Sequence, residues 1–503
     1  MRYSRLDVGV LVVIAALGLT TLPLPFTGDQ ALFTVGAREM ADGSVLYRDF
    51  WDVKQPGIFL YYLGGGWLFG FDEVGLHAFD LITLLGFAVV LQVTLRSRMH
   101  NAWVASVAPL VIIGGFYVGA RIGDVGQIEL LVGFPLYLCL IWSLPRSGPA
   151  ASGSGRLFLS GLAGGIVVLL KLVYLPIAAV FWGIALVDAA RRSQGRQRVA
   201  AAARVAVPVA AGLAVPVGLA LVYIVVNGQL GEVVHTYFEY TPRTTGIAGR
   251  PFSRLVDSIV GDGRRFVAML ALAVVGTIFA VRRMHDRFVA GVLAWAILAV
   301  PLYLGQHWWD YQLKLFLVPV GVLAAYGLDE LWDRRHRVSR TWVMVLAGGL
   351  VLLAVPALTL LGDRVLTVAR HDFGLTASGR RAIAVEYESA YGPGREWAEQ
   401  LDEPGPVYVL GNPVALLLSD RDQAIRTNGW SPEQFDDGLW NRLADELETA
   451  RPQYLLIDDS SAELMDDRAP ATRQRIDELY CATGGSGDTV WYELRAVATC
   501  EGA

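Results

Sequence analysis

From Thr27 to Gly57 the chain reads TGDQALFTVGAREMADGSVLYRDFWDVKQPG, directly after a first apolar segment. This stretch gathers Asp29, Arg38, Glu39, Asp42, Tyr47, Arg48, Asp49, Asp52 and Lys54. So many ionisable groups beside a membrane segment are costly to place and point to chemistry at the bilayer face. Asp29 follows the apolar segment almost at once. A carboxylate there accepts a proton from a hydroxyl nucleophile or orients it by hydrogen bonding. The same residue also suits the N-cap of a helix over QALFTVGAREMADG. The chain has three lysines, Lys54, Lys171 and Lys314, all at or near the same face. They read either as compact ammonium groups placed for a phosphate or as survivors of an arginine-rich composition.

The elements that must hold these residues are mostly membrane helices. Of 503 residues 54% are hydrophobic and 18% charged, with mean hydropathy +0.44, which excludes an ordinary soluble enzyme. A spanning helix needs roughly 20 apolar residues. About eleven segments qualify, near 7–25, 76–95, 102–119, 127–144, 157–170, 173–188, 204–226, 266–281, 288–304, 312–328 and 341–361. The first has a basic flank but no small-x-small cleavage site, so a retained anchor is expected rather than a signal peptide. Basic residues in short loops stay cytoplasmic. RSR (96–98), the 145–156 loop, RRSQGRQR (191–198), VRRMHDR (281–287) and DRRHRVSR (333–340) all fall on one side with the N-terminus. The Asp29 loop, a loop over 227–265, GQHWWDYQLK (305–314) and the C-terminal tail then lie outside a cell membrane.

From about Asp363 the composition turns soluble. PVYVL (406–410), PQYLLIDD (452–459) and TVWYEL (489–494) read as strands. Residues 431–450 show helical spacing, with Phe435, Leu439, Leu443 and Leu447 on one face and a capping box near Ser431-x-x-Gln434. The expected fold is a polytopic α-helical membrane protein with a long first outer loop. Residues 1–362 form the transmembrane domain and 363–503 a small exoplasmic α/β domain. Cys481 and Cys500 lie in that tail, where a disulfide is permitted, while Cys139 sits within a span. Asp420-Arg421-Asp422 has the D-x-D form of nucleotide-sugar enzymes but adjoins a turn outside the membrane. Gly-rich phosphate loops, H-E-x-x-H and C-x-x-C are absent from the sequence, and no basic surface suggests nucleic acid.

Asp29, Gly43 and LYRDF-WDVKQP (Leu46 to Pro56) together resemble the first outer loop of GT-C superfamily glycosyltransferases. The similarity is to the branch of the aminoarabinose and dolichyl-phosphate-mannose (protein mannosyl) transferases. There an acidic residue opens the loop, followed by an Ala/Gly-rich helix, a G-x-x-hydrophobic-Y-R-D patch and K-P-P. Here Asp29-Gln30 stands in place of Asp-Glu, and Lys54-Gln55-Pro56 in place of K-P-P. The resemblance implies transfer of a sugar from a polyprenyl-phosphate-linked donor to a glycan, lipid or protein acceptor on the exoplasmic face, with inversion. It makes Asp29 the base candidate and leaves Asp124 and Glu129 competing for a second acidic position, with Glu129 slightly favoured. Lys54, Arg121 and Lys171 would meet the leaving phosphate. Tyr47, Arg48 and Asp49 belong to the matching patch, and His307, Asp310, Tyr311 and Lys314 resemble an aromatic-His-Tyr patch lining the sugar or phosphate site. Trp308 and Trp309 suit an interfacial belt. Asp29 and Asp124 could also hold Mg²⁺ or Mn²⁺ through oxygen ligands, which spacing alone does not establish.

Two other classes compete with a transferase. A transporter or flippase expects charges in mid-span, broken helices and inverted repeats, and Lys171 between two short spans is the feature that suits it. A non-catalytic assembly or sensor protein leaves the ordered acidic loop without a purpose.

Overall fold

The computed structural model describes residues 4–144, 153–195, 197–284, 286–337 and 339–495. Cys500 lies outside them, as does most of the 145–156 loop. The apolar segments read from the sequence fall mainly on helix, the first of them only as far as Leu19. Among the described residues eight helical stretches are long and apolar enough to cross a bilayer, and the chain is a multi-pass integral membrane protein. One of the eight, Ser154–Arg191, covers two of the sequence segments. Its helix is interrupted where Lys171 turns extended (φ −163°, ψ 102°) before a 3₁₀ turn at Leu172–Tyr174. Two further apolar helices are shorter, α1 (Arg5–Leu19) and Ile128–Ser143. Helix α1 stops because Thr20 and Thr21 fold their hydroxyls back onto the Leu17 and Gly18 carbonyls, at 2.6 and 2.7 Å, and Pro23 follows.

The chain divides into two compact units. The first comprises Met1–Leu22, His77–Ala220 and Pro251–Val368, which is most of the membrane helices. Its tightest seam joins Phe252–Val281 to Leu317–Arg334. A Cβ on Gly276 would lie 1.8 Å from the Leu323 carbonyl oxygen, and one on Gly327 2.1 Å from that of Leu272. Only glycine permits that backbone approach, which in lipid drives helix association through packing rather than the hydrophobic effect. Phe252–Val281 starts well before the apolar segment expected at 266–281, inside what reads as loop, and kinks at Phe266 (φ −112°, ψ 15°). Its polar first half carries Asp262 and Arg265. Nearby, the buried Arg364 guanidinium donates to the Ala120 carbonyl (3.0 Å) and the Tyr117 carbonyl (2.5 Å), capping the helix that ends at Gly119.

The second unit comprises Pro23–Leu76, Leu221–Arg250 and Ala369–Ala503, so the Asp29 loop folds with the C-terminal tail. The loop itself is helix α2 (Gly28–Ala41), an irregular stretch and helix α3 (Pro56–Phe69), which Pro56 opens at a position that needs no amide donor. Helix α4 (Glu73–Leu95) follows. The tail carries a four-stranded sheet in the order β1-β2-β4-β3. Strands β1 (Tyr408–Leu410) and β2 (Tyr454–Asp458) run parallel, so a crossover with the helix Asp437–Ala450 joins them. Strand β4 (Thr489–Leu494) pairs antiparallel with β2 and with β3 (Tyr480–Ser486). Phe435, Leu439, Leu443 and Leu447 are buried, as their spacing predicts. The cap differs from the expected box. Ser431 is left-handed (φ 60°), Pro432–Gln434 is a 3₁₀ turn, and Asp436 caps the helix by accepting from Leu439 N at 2.9 Å.

Candidate functional site

In the second unit Asp29 stands in the first turn of α2 but does not cap it. The N-cap is Thr27, whose backbone amide and hydroxyl both reach Gln30 Oε1, at 2.7 and 3.0 Å. Gln30 is fully buried in that role, where a neutral amide avoids the cost of burying a carboxylate. Asp29 is thereby released to turn toward the loop. Its Oδ1 lies 3.5 Å from Lys54 Nζ and accepts a 3.0 Å hydrogen bond from Trp430 Nε1. No other polar partner meets Asp29 among the described residues, so Oδ2 remains able to take a proton.

Lys54 is shared. Asp52 Oδ1 lies 3.5 Å from its ammonium and also accepts from its backbone amide at 2.8 Å. The buried Asn428 donates to Asp52 Oδ2 (3.0 Å) and to the Trp51 carbonyl (2.7 Å). Lys54 Nζ also lies 5.4 Å from the centre of the Phe33 ring, within cation–π range. Burial pulls the Lys54 ammonium toward its neutral form, but the Asp52 and Asp29 carboxylates outweigh it and hold the pKa above its ordinary value. The cluster therefore carries two carboxylates on one fixed cation. Tyr47, buried with left-handed backbone (φ 71°), sets the lysine's main chain, since its hydroxyl donates to the Lys54 carbonyl at 3.0 Å and pairs with Tyr237. Behind Asp29, a Cβ on Gly28 would overlap the Trp430 ring at 2.3 Å, so this glycine lets the indole reach the carboxylate.

The first unit holds a larger network. Asp124 Oδ1 lies 2.8 Å from Lys314 Nζ, and its Oδ2 2.6 Å from Arg265 Nη1 and 2.9 Å from the Arg121 amide. Asp262 pairs with Lys314 at 2.8 Å and with Arg265. Asp310 lies 3.1 Å from Arg121 Nη1 and 3.5 Å from Arg265 Nη2. Three carboxylates face three cations, with Asp124 and Lys314 almost wholly buried and Arg121 half exposed. Burial raises the Asp124 carboxyl, but Lys314 and then Arg265 overcome it and leave the pKa below the ordinary carboxylate range. Asp124 is thus no solvated loop residue. Asp262 and Arg265 are partners that the sequence reading missed, because it placed them in a loop.

Glu129 and Lys171 meet elsewhere in the same unit. Glu129 Oε1 takes Lys171 Nζ at 2.5 Å and the Tyr174 hydroxyl at 3.1 Å, while Gln306 Oε1 lies 2.6 Å from the same ammonium. All three lysines of the chain therefore engage carboxylates. His307 and Tyr311 lie half-buried in the 305–314 loop, which Arg254 and Ser258 fasten through the His307 and Trp308 carbonyls at 3.4 and 2.6 Å. Arg48 and Asp49 bind each other at the surface, at 2.7 Å. Asp420 ends a short helix in left-handed conformation and pairs with Arg38 at 2.5 Å, as its turn position suggests. Among the described residues, no three or more His, Cys, Asp or Glu side chains gather to hold a metal. Asp29 and Asp124 each already face a lysine.

No family model matches the sequence, and no curated protein matches it. Solved structures do. ArnT from Cupriavidus metallidurans, bound to undecaprenyl phosphate, matches at TM-score 0.61 and 15% identity over 99% of this chain and 98% of its own. The oligosaccharyltransferase of Archaeoglobus fulgidus in its apo form matches at TM-score 0.51 and 12% identity, covering 95% of this chain and 73% of its own. The archaeal oligosaccharyltransferase AglB from the same organism, in complex with an inhibitory peptide and a dolichol-phosphate, gives 0.50 and 12% over 98% and 75%. At such identities the shared property is the fold. This chain has the fold of ArnT and of the archaeal oligosaccharyltransferase.

Proposed function

We propose that this chain transfers a sugar from a polyprenyl-phosphate-linked donor to an acceptor hydroxyl on the exoplasmic side of the cell membrane. The observation that carries the reading is the Asp29–Lys54–Asp52 cluster, a carboxylate with an open oxygen held beside a fixed ammonium. Its setting is a fold whose solved examples include proteins bound to undecaprenyl phosphate and dolichol-phosphate. In the proposed step the acceptor hydroxyl gives its proton to Asp29 Oδ2 as its oxygen bonds to the anomeric carbon. The bond from that carbon to the phosphate oxygen breaks, and the electron pair leaves with the polyprenyl phosphate. Attack opposite the leaving group inverts the anomeric centre. Lys54 meets the charge that develops on the phosphate, where a positioned cation is worth far more than in water. Asp52, tied down by Asn428, keeps Lys54 charged and aimed. Trp430 holds Asp29 Oδ1 and so fixes which oxygen faces the acceptor.

Five basic loops on one side support an exoplasmic placement for this cluster. The 363–503 domain then does more than flank the site, because Asn428 and Trp430 are its contributions. A donor-specific step through Mg²⁺ or Mn²⁺ has no ligand set of its own among the described residues, and the proposed step uses none.

The test is purified full-length protein in liposomes with a panel of radiolabelled polyprenyl-phosphate sugars and a membrane-glycan extract. Transfer, or slow donor hydrolysis, that needs Asp29 supports the reading. A transporter remains the second reading because the helix breaks at Lys171 beside the buried Glu129. Donor movement across the liposome without turnover would favour it.

A further inference from the structure

A cavity of about 270 Å³ in the second unit lies apart from the Asp29 cluster and has no place in the reaction above. Pro23, Pro25, Leu418 and Tyr391 form part of its wall, and its charged lining residues are Glu73, Arg380, Arg381 and Arg395. Three guanidinium groups thus face one carboxylate. That carboxylate is already engaged, since the Tyr391 hydroxyl donates to Glu73 Oε1 at 2.7 Å. Arg380 spends one nitrogen on the Gly374 carbonyl, at 3.1 Å. The side chains of Arg381 and Arg395 meet no hydrogen-bond or ion-pair partner among the described residues. Burial and then the neighbouring Arg381 depress the Arg395 pKa, and the weaker pull of Glu399 and Glu73 does not restore it. A protein keeps unpaired arginines together at a cavity when an anion completes them, and the forked guanidinium suits a phosphate in particular.

The location narrows the source of the phosphate. Pro23 follows α1 within a turn, and Glu73 is the first residue of α4, so the cavity wall is built from chain that has just left or is about to enter apolar helix. Beside the arginines, Phe373 and Leu375 are 60% and 81% exposed, and Gly374 between them packs on Pro23. Large apolar side chains standing in the open next to a basic pocket fit an interfacial site, where the apolar groups meet acyl chains and the cations meet headgroups.

We propose that Arg380, Arg381 and Arg395 form a binding site for the phosphate headgroup of an anionic membrane phospholipid, seated by Phe373 and Leu375. The site is separate from the donor cluster and does not depend on the proposed transfer reaction. The test follows thermal melting of the full chain in neutral detergent during titration with three probes: short-chain phosphatidylglycerol, phosphatidylcholine of the same chain length, and inorganic phosphate. Phosphatidylglycerol should raise the melting temperature saturably, and phosphatidylcholine should not. Arg381→Gln, at an exposed position, should weaken the midpoint roughly tenfold, the loss of one charge-assisted contact, and Arg381→Lys should recover part of it. Arg395→Gln should weaken it further. An equal response to phosphatidylcholine, or an unchanged midpoint in both glutamine variants, would overturn the proposal. Inorganic phosphate acting at the same concentration as phosphatidylglycerol would overturn the lipid assignment. Because melting needs no sugar donor, failure here is distinguishable from failure of the transferase reading.

Discussion

Two buried charge clusters of similar composition have opposite balances. Around Asp124 the first unit sets three carboxylates against three cations, and each charge has a partner at 2.6–3.1 Å or in closer contact. Around Lys54 the second unit sets two carboxylates against one cation, both at 3.5 Å. Short, matched pairing works against the desolvation of burying charge and gives each buried group of the first cluster a partner. The looser, unbalanced cluster keeps one carboxylate oxygen open and a cation whose partners a phosphate can displace. The first arrangement is a clamp between the 3₁₀ turn at Ile122–Asp124, the helix Phe252–Val281 and the 3₁₀ helix Asp310–Phe316. Our proposal places the chemistry at the second.

The contrast breaks most sharply if each cluster loses its lysine. Lys314→Met strands Asp124 and Asp262 in a buried site, and removing one partner of a buried pair costs about 3–5 kcal/mol. It should lower the melting temperature of the detergent-solubilised chain strongly, and any loss of transfer should follow the loss of folded protein. Lys54→Met should weigh the other way, lowering melting less, because Asp52 and Asp29 keep Asn428 and Trp430 as partners, while kcat/KM falls roughly 10²–10³-fold for want of a cation at the leaving phosphate. A finer test is Gly28→Ala. The added methyl displaces the Trp430 indole from Asp29, so kcat should fall about tenfold, the effect of losing one orienting hydrogen bond to a charged group. Trp430→Phe should give a similar loss without the steric strain.

The smallest effect separates the clusters by pH. Asp124 has a folded pKa below its unfolded value near about 3.9. Its stabilisation is complete above that unfolded value and is lost as pH falls through the folded one. Lys54 has a folded pKa above its unfolded value near about 10.4. Its stabilisation is complete below the unfolded value and is lost as pH rises through the folded one. Melting temperature against pH should therefore fall below pH 4 with an Asp124-dependent part, and above pH 10.5 with a part that disappears in Lys54→Met.

How far the sequence shows this follows from distance along the chain. Asp29, Asp52 and Lys54 are legible because one loop carries all three, and the family resemblance rests on that loop. Trp430 and Asn428 are not legible, because they arrive from 401 and 376 positions away and nothing local marks an indole that will bind a carboxylate. Asp262 and Arg265 escape notice for a different reason. They occupy the polar start of a helix whose apolar half alone resembles a span, so periodicity places the boundary too late. Helix α3 is apolar throughout but has only 14 residues, below the length of a span, so a search for spans passes over it. Strand β3 contains Ala-Thr-Gly-Gly, a poor strand former that its pairing with β4 imposes.

The most direct test of the central claim is sugar transfer by Asp29→Asn, measured beside wild type in liposomes with melting followed in parallel. Asparagine keeps the shape and can still accept from Trp430 Nε1, but it cannot take the acceptor proton. The account predicts a fall in transfer of roughly 10²–10⁴-fold, the range for a general base, with folding intact. Transfer at the wild-type rate by a folded Asp29→Asn protein would contradict it.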